Sequence, residues 1–363
     1  MMVKGKIKEN RDIEVPDVNY RALKALNYSM IAKYETSPAD FVKEFILGEP
    51  ADEEDSTALI MGNVIDDILL TYKGSIVDFE SNFDAKYALY TGEVGTKQVF
   101  ILADELFSVT KRYPDEDFSN RFRMAFENVQ KKSKYKGKKV EFALDDFEAN
   151  AADYFDTKIK NIGKIVVSEG ILEKSTKIAK ATMLDAFTMG IYDFGVNSND
   201  YTKLAKLPIT FKFTCSNGEI EGKCEVDMLD VDYVNKEIIP RDTKSTYDNT
   251  LFPYNYLKNR YYLQAGWYTL GIICWAKENG LDDYKIRPFE FNVLDTSKGG
   301  RRPLIYRLDP QHIKQAWEGF TKGDRKFKGI NELVGDIVWS NETGEWGISK
   351  KAFDANGVIN LEI

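Results

Sequence analysis

GKCEVDMLDVDYVNKEIIPRDTKST, residues 222–246, alternates, turns and alternates again. EIEGKCEVDMLDVDYV (219–234) reads as a long strand, in which Asp227 sits among alternating apolar residues. Asn235-Lys236 turns the chain, and EIIPRDTKS (237–245) resumes an extended pattern. Upstream, ITFKFTC (209–215) alternates as well and joins through SNGE, whose Asn217-Gly218 is a hairpin signal. Downstream comes a helix over about 254–279 (YNYLKNRYYLQAGWYTLGIICWAKEN). The strand RPFEFNVLDTS, a KGGRR loop, the strand PLIYRL and a last helix over about 310–322 follow. The order β-β-β-α-β predicts an α/β core, a mixed sheet flanked by helices.

Upstream of these strands the chain reads mostly as helix. In NYSMIAKYETSPADFVKEF (27–45), Ser37-Pro38 starts a new helix with proline at its first position. STALIMGNVIDDILL (56–70) has its apolar residues at helical spacing. Between 73 and 208 the chain is lysine-rich, with helices expected at 97–112, 118–132, 145–162 and 175–189. These patterns divide the chain into N-terminal helices (1–72), a mainly helical insertion (73–208), a core (209–330) and a C-terminal tail (331–363).

Composition narrows the function classes. The 363 residues, 43% hydrophobic and 30% charged, support a sizeable core. No run of about 18 apolar residues is present, so no membrane span is expected. MMVKGKIKENRDIEVPD is too charged for a secretory signal, and Cys215, Cys224 and Cys274 lie too far apart for a disulfide framework or a zinc site. A reducing cytoplasm fits. A net charge of −8 argues mildly against nucleic acid, but basic runs at 131–139, 203–206 and 298–302 leave room for a locally basic channel. The bland reading of each run is a solvated surface.

The chemistry concentrates on three residues. Asp242 and Lys244 are two apart on one strand and so share a face. The turn at 233–236 brings Asp227 close to Asp242. Two neighbouring carboxylates stay ionised cheaply only with a cation between them, and hard oxygen ligands select Mg²⁺ or Mn²⁺. Lys244 would orient an attacking water and stabilise phosphoryl charge, and Thr243 would lend its carbonyl to the metal. Against this stands the ordinary reading of D-x-K as surface charge on a strand. Gln264 and Tyr268 fall on one helical face, and Asp66, four residues after Gly62, is a further oxygen ligand or the polar side of an amphipathic helix. Tyr247, Phe252, Tyr254 and Tyr256 are candidates for base stacking or for core packing. His312, the chain's only histidine, reads as structural.

GKCEVDMLDVD, IIPRDTKST and NRYYLQAGWYTLGI, preceded by YSMIAKYETSPADF and ALIMGNVIDDILL, resemble the successive motifs of RecE-type exonucleases. These belong to the RecB-like and lambda-exonuclease-like branch of the PD-(D/E)XK nucleases. The resemblance covers roughly 20–72 and 209–275. It implies a restriction-endonuclease-like core with Asp227 and Asp242 as metal ligands, Lys244 as catalytic lysine, and two Mg²⁺ or Mn²⁺ ions. It implies that Gln264 and Tyr268 contact DNA near the scissile phosphate. Asp66 stands where this branch usually has a metal-binding histidine, a departure that a hard ion tolerates. Arg260, Arg301 and Arg302 are the expected phosphate contacts. The activity implied is that of a phage-type recombination exonuclease in the cytoplasm of its host. It would digest duplex DNA 5′ to 3′ from an end and leave 3′ tails, as a ring-shaped homo-oligomer working beside a single-strand annealing protein. An endonuclease on the same core, or a non-catalytic DNA-binding or assembly protein, remains the alternative.

Overall fold

The computed structural model describes residues 20, 23–49, 56–92, 97–131, 134–196, 198–215, 218–297 and 300–358. The charged N-terminal stretch, Asn217 of the hairpin signal, Lys132 of the 131–139 run and Lys298 of the KGGRR loop lie outside the described residues. The chain divides into two units, Asp52–Ala181 and the remainder, Met1–Ala51 with Thr182–Ile363. The divisions thus fall at 52 and 181, where the sequence pattern suggests 73 and 208.

The Asp52–Ala181 unit is mostly helical, with two short parallel strands, β1 (Tyr87–Tyr90) and β2 (Ile165–Ser168). Its helix Lys97–Arg112 has the bounds expected and buries Val99, Leu102, Ala103, Leu106 and Val109 at helical spacing. The helix expected over 145–162 is two, Val140–Asn150 and Ala152–Lys160, separated by the non-helical backbone of Ala151.

In the other unit, β3 (Tyr201–Cys215) and β4 (Gly218–Asp232) form a long antiparallel hairpin. β5 (Glu237–Thr246) continues antiparallel to β4. The chain then crosses over through a helix, and both β6 (Lys285–Ile286) and β7 (Glu290–Asp295) run parallel to β5, as a helical crossover requires. β8 (Leu304–Arg307) returns antiparallel to β7. The sheet is therefore mixed, in the order β3-β4-β5-β7-β8, and helices flank it. β3 starts eight residues before the strand expected at 209.

The crossover helix Tyr261–Glu278 packs on β3 and β4. Trp267 is fully buried, and its indole N–H donates to the Lys223 carbonyl at 3.1 Å. Two glycines permit this closeness. A Cβ on Gly222 would sit 2.7 Å from the Trp267 ring, and one on Gly271 would sit 2.6 Å from Cys224 Sγ. The expected helix over 254–279 is broken: Phe252–Lys258 ends, Arg260 takes a left-handed backbone (φ 59), and a new helix begins at Tyr261. The last expected helix stops at Glu318, and a small hairpin, β9 (Phe320–Lys322) with β10 (Arg325–Phe327), follows. Beyond it the supposed tail contains the helix Ile330–Thr343, whose Ile330, Leu333, Val334, Ile337 and Val338 enter the same core as Trp267.

Period two puts Arg241 on the face opposite Asp242. There it bridges two buried carboxylates, Asp230 and Glu290, the latter at 2.8 Å. Lys203 and the Tyr201 hydroxyl also reach Asp230, at 3.1 and 2.6 Å, and Arg307 reaches Glu290 at 2.7 Å. Among the described residues no helix is long and apolar enough to cross a membrane.

Candidate active site

The site forms where β4 and β5 part. Their ladder pairs Met228 with Arg241 through Asp232 with Glu237 and ends there. Past that point the Thr243 N–H donates to Asp227 Oδ2, at 3.0 Å. A side chain thus takes the hydrogen bond the strand no longer accepts, and Asp227 is tied to the strand that carries Asp242 and Lys244.

The neighbouring ladder is disturbed at the same level. Ala205 pairs with Met228 and Leu207 with Val226, which places Lys206 opposite Asp227 in an unpaired step. Lys206 has a left-handed backbone (φ 51), unusual for a residue with a Cβ inside a strand. The phase of burial shifts there on both strands. On β3 the core takes Leu204 and then Leu207, Ile209 and Phe211; on β4 it takes Cys224 and Val226 and then Leu229 and Val231. Pro208 fits this strand because β3 is at the sheet edge.

Each carboxylate oxygen of the pair has a cation or an N–H beside it. Lys206 Nζ is 2.9 Å from Asp227 Oδ1, and the Thr243 amide is on Oδ2. Lys244 Nζ is 2.6 Å from Asp242 Oδ2, and Gln264 Nε2 donates to Oδ1 at 2.5 Å. Lys244 also lies 4.8 Å from the centre of the Tyr261 ring, a cation–π distance. Burial drives Asp242 up to about 7 against the pull of Lys244, and the charge on Asp227 adds to the rise. For Asp227 burial pushes the same way, but Lys206 and Lys244 outweigh it and hold the carboxyl below its usual range. Burial alone would lower Lys244, yet Asp242 keeps its ammonium form favoured. Tyr28 is pushed up to about 12, chiefly by burial.

The structure thus gathers Asp227, Asp242, Thr243 and Lys244. Gln264 joins them from behind: it is 3% exposed and braces Asp242. Tyr268 is also buried, edge-on to Tyr28 at 6.3 Å. Both therefore support the site from the core side, where the sequence suggests an outward DNA contact. Arg260 is buried too. Its guanidinium pairs with Glu35 at 2.5 Å and donates to the carbonyls of Leu257 and Lys258, which closes the helix break. Arg301 and Arg302 are exposed, paired with Asp248 and Asp185, and Arg302 lies 4.1 Å from the Phe187 ring centre. Phe252 and Tyr256 are core, while Tyr247 and Tyr254 are exposed. His312 accepts the Asp309 N–H at 3.0 Å in a capping box, a structural role.

Asp66 ends the helix Thr57–Asp66 in the Asp52–Ala181 unit, where the backbone widens to a π-turn over Asp67–Thr71. Its neighbour Asp67 is the buried carboxylate there, accepting from Tyr87 and Lys86 at 2.6 Å each. Among the described residues no three His, Cys, Asp or Glu side chains gather into a metal-ligating group. The Asp227–Asp242 pair still suits a hard divalent ion. Both side chains offer oxygens, Asp242 is driven up partly by its like-charged neighbour, and Gln264 Oε1 is buried with no hydrogen-bond partner among the described residues.

Sequence reasoning misses Lys206 as a site residue because 203–206 reads as a surface lysine run. Counting back across the hairpin from Cys215 and Gly218 finds it. No family model matches the chain, and no curated protein matches it either.

Proposed function

We propose that the chain is a divalent-metal-dependent deoxyribonuclease with a PD-(D/E)XK-type core, acting on duplex DNA ends. The observation that carries the reading is the fork at which Asp227 and Asp242 face each other with Lys244 beside them. Asp227, Asp242 and the Thr243 carbonyl would hold Mg²⁺ or Mn²⁺. Such an ion supplies a bound water of lowered pKa and neutralises phosphoryl charge. Lys244, fixed by Asp242 and Tyr261, keeps a positive charge where negative charge would grow on a phosphoryl group in transit. Gln264 holds Asp242 in orientation. Tyr247 and Tyr254, exposed just past the end of β5, offer stacking faces to terminal bases. Digestion from 5′ ends, 3′ tails for recombination, a ring of subunits and an annealing partner belong to this reading through the resemblance.

The test uses linear and closed circular duplexes in Mg²⁺. The linear form is expected to be degraded and the circle left intact, and Asp242→Ala is expected to lose about a hundred- to a thousandfold in rate, as loss of a charge-stabilising group at such a centre does. An Asp242→Ala protein that digests DNA as fast as the parent would sink the assignment, and cutting of the circle would make the enzyme an endonuclease.

A further inference from the structure

Lys206 is a charged neighbour of the carboxylate pair that the nuclease reading does not use. It reaches Asp227 Oδ1 at 2.9 Å from a left-handed backbone, in the unpaired step opposite Asp227. A non-glycine residue in that conformation costs on the order of 1–2 kcal/mol, and such strain persists where the surroundings enforce it. Here it accompanies the phase shift that turns both strands.

Charge counting gives this ion pair a consequence. In this cluster Asp227 pairs with Lys206 and Asp242 with Lys244, so each carboxylate has a cation beside it before any metal binds. A divalent ion added to it leaves an excess of positive charge, which a phosphodiester relieves.

We propose that Lys206 is a positioning residue: it serves Asp227 as an internal counter-ion, competes with a divalent cation for that carboxylate, and so makes metal and DNA phosphate bind together. The inference rests on the metal-site reading above. Lys206 keeps the pair compact until substrate arrives. It then yields Oδ1 of Asp227 to the cation and turns its ammonium toward the incoming phosphate. Metal loading and DNA binding thereby become reciprocally coupled, each tightening the other by the same factor.

Mn²⁺ binding followed by the decrease of the free-ion paramagnetic resonance signal tests this without reference to activity. The titration is run with and without a short phosphorothioate duplex. Lys206→Met removes the charge, and Lys206→Gly does so with a backbone that accepts the positive φ, so a folding defect in one does not void the test. Without DNA, both variants are expected to bind Mn²⁺ on the order of tenfold tighter, since a unit positive charge has been removed from within a few ångströms. The extra tightening by DNA should shrink in both, and Lys206→Arg should behave as wild type. Unchanged or weaker Mn²⁺ binding in the first two variants would overturn the role of Lys206. Asp227→Asn separates this from failure of the parent reading: if it binds Mn²⁺ as wild type does, Asp227 is not a ligand and both readings fall.

Discussion

At the level of single residues, Asp242 is the carboxylate of the pair that burial pushes toward neutrality. Burial lifts it to about 7, while Asp227 is held low by its two lysines. Two interacting carboxylates of this kind titrate as a pair with separated steps. The sign follows from linkage. Asp242 has a folded value above the roughly 3.9 of an unfolded aspartate, so folded protein binds more protons between about 4 and about 7. The stability this contributes is complete below about 4 and is lost as pH rises through about 7. Asp227 acts the other way, contributing stability that disappears only as pH falls below the unfolded value. Melting temperatures taken in a chelator should therefore decline from about pH 5 to about pH 8, and Asp242→Asn should flatten that decline. Parallel profiles for the two proteins would show that Asp242 does not titrate in this window. Spacing alone reveals that Asp242 and Lys244 share a face. It does not reveal that Gln264 and Tyr268 look inward, because which side of a buried helix meets the sheet depends on packing at Gly222 and Gly271.

Among the elements, β5 carries charge on both faces, and for different reasons. On one, Asp242 and Lys244 line the fork; on the other, Arg241 sits between Asp230 and Glu290 in a buried network. Removing the central cation of such a network strips buried carboxylates of part of their counter-charge. Arg241→Met should cost about 3–5 kcal/mol in chemical unfolding, a penalty typical of breaking a buried ion pair from one side. Lys203 and Arg307 keep part of the compensation and place the value toward the lower end. A cost below about 1 kcal/mol would mean that those two cations, or water, carry the network. The strands are legible where stretches of alternation are bounded by turn signals, as in β4 and β5, although the alternation in β4 breaks at Met228-Leu229. The start of β3 is not, because Tyr201–Leu207 is almost wholly buried and its lysines are held by partners on β4, so it lacks a polar face to alternate with. The helix Ile330–Thr343 is buried on every side over Leu333–Ser340, so its burial shows no amphipathic stripe. In the sequence it reads as tail because it follows the small hairpin β9–β10, beyond the last motif that carries chemistry. The break at Arg260 is hidden for a different reason: the arginine supplies its own closure, with no glycine or proline to mark it.

Taken whole, the molecule has 58 acidic and 50 basic residues. Any affinity for DNA must then come from a few placed cations acting against an unfavourable overall field. In the unit that holds the site these are Lys206 and Lys244 at the fork, with Arg301 and Arg302 exposed before β8. Each of the four is paired with a carboxylate, so phosphate binding exchanges one anion for another and does not satisfy a bare charge. Counterion release scales with the phosphates neutralised, at about 0.9 per phosphate on a logarithmic scale, so four such cations give a slope of about −4 or shallower. Fluorescence anisotropy of a labelled duplex with the Asp242→Ala protein, titrated with KCl in Mg²⁺, reads this slope directly. Arg302→Ala should make it shallower by about one and leave sequence preference unchanged, as removing a single phosphate-binding cation does. A slope steeper than about −6 would require a larger basic surface than these residues provide, and the 131–139 lysine run of the Asp52–Ala181 unit would then be the first place to look.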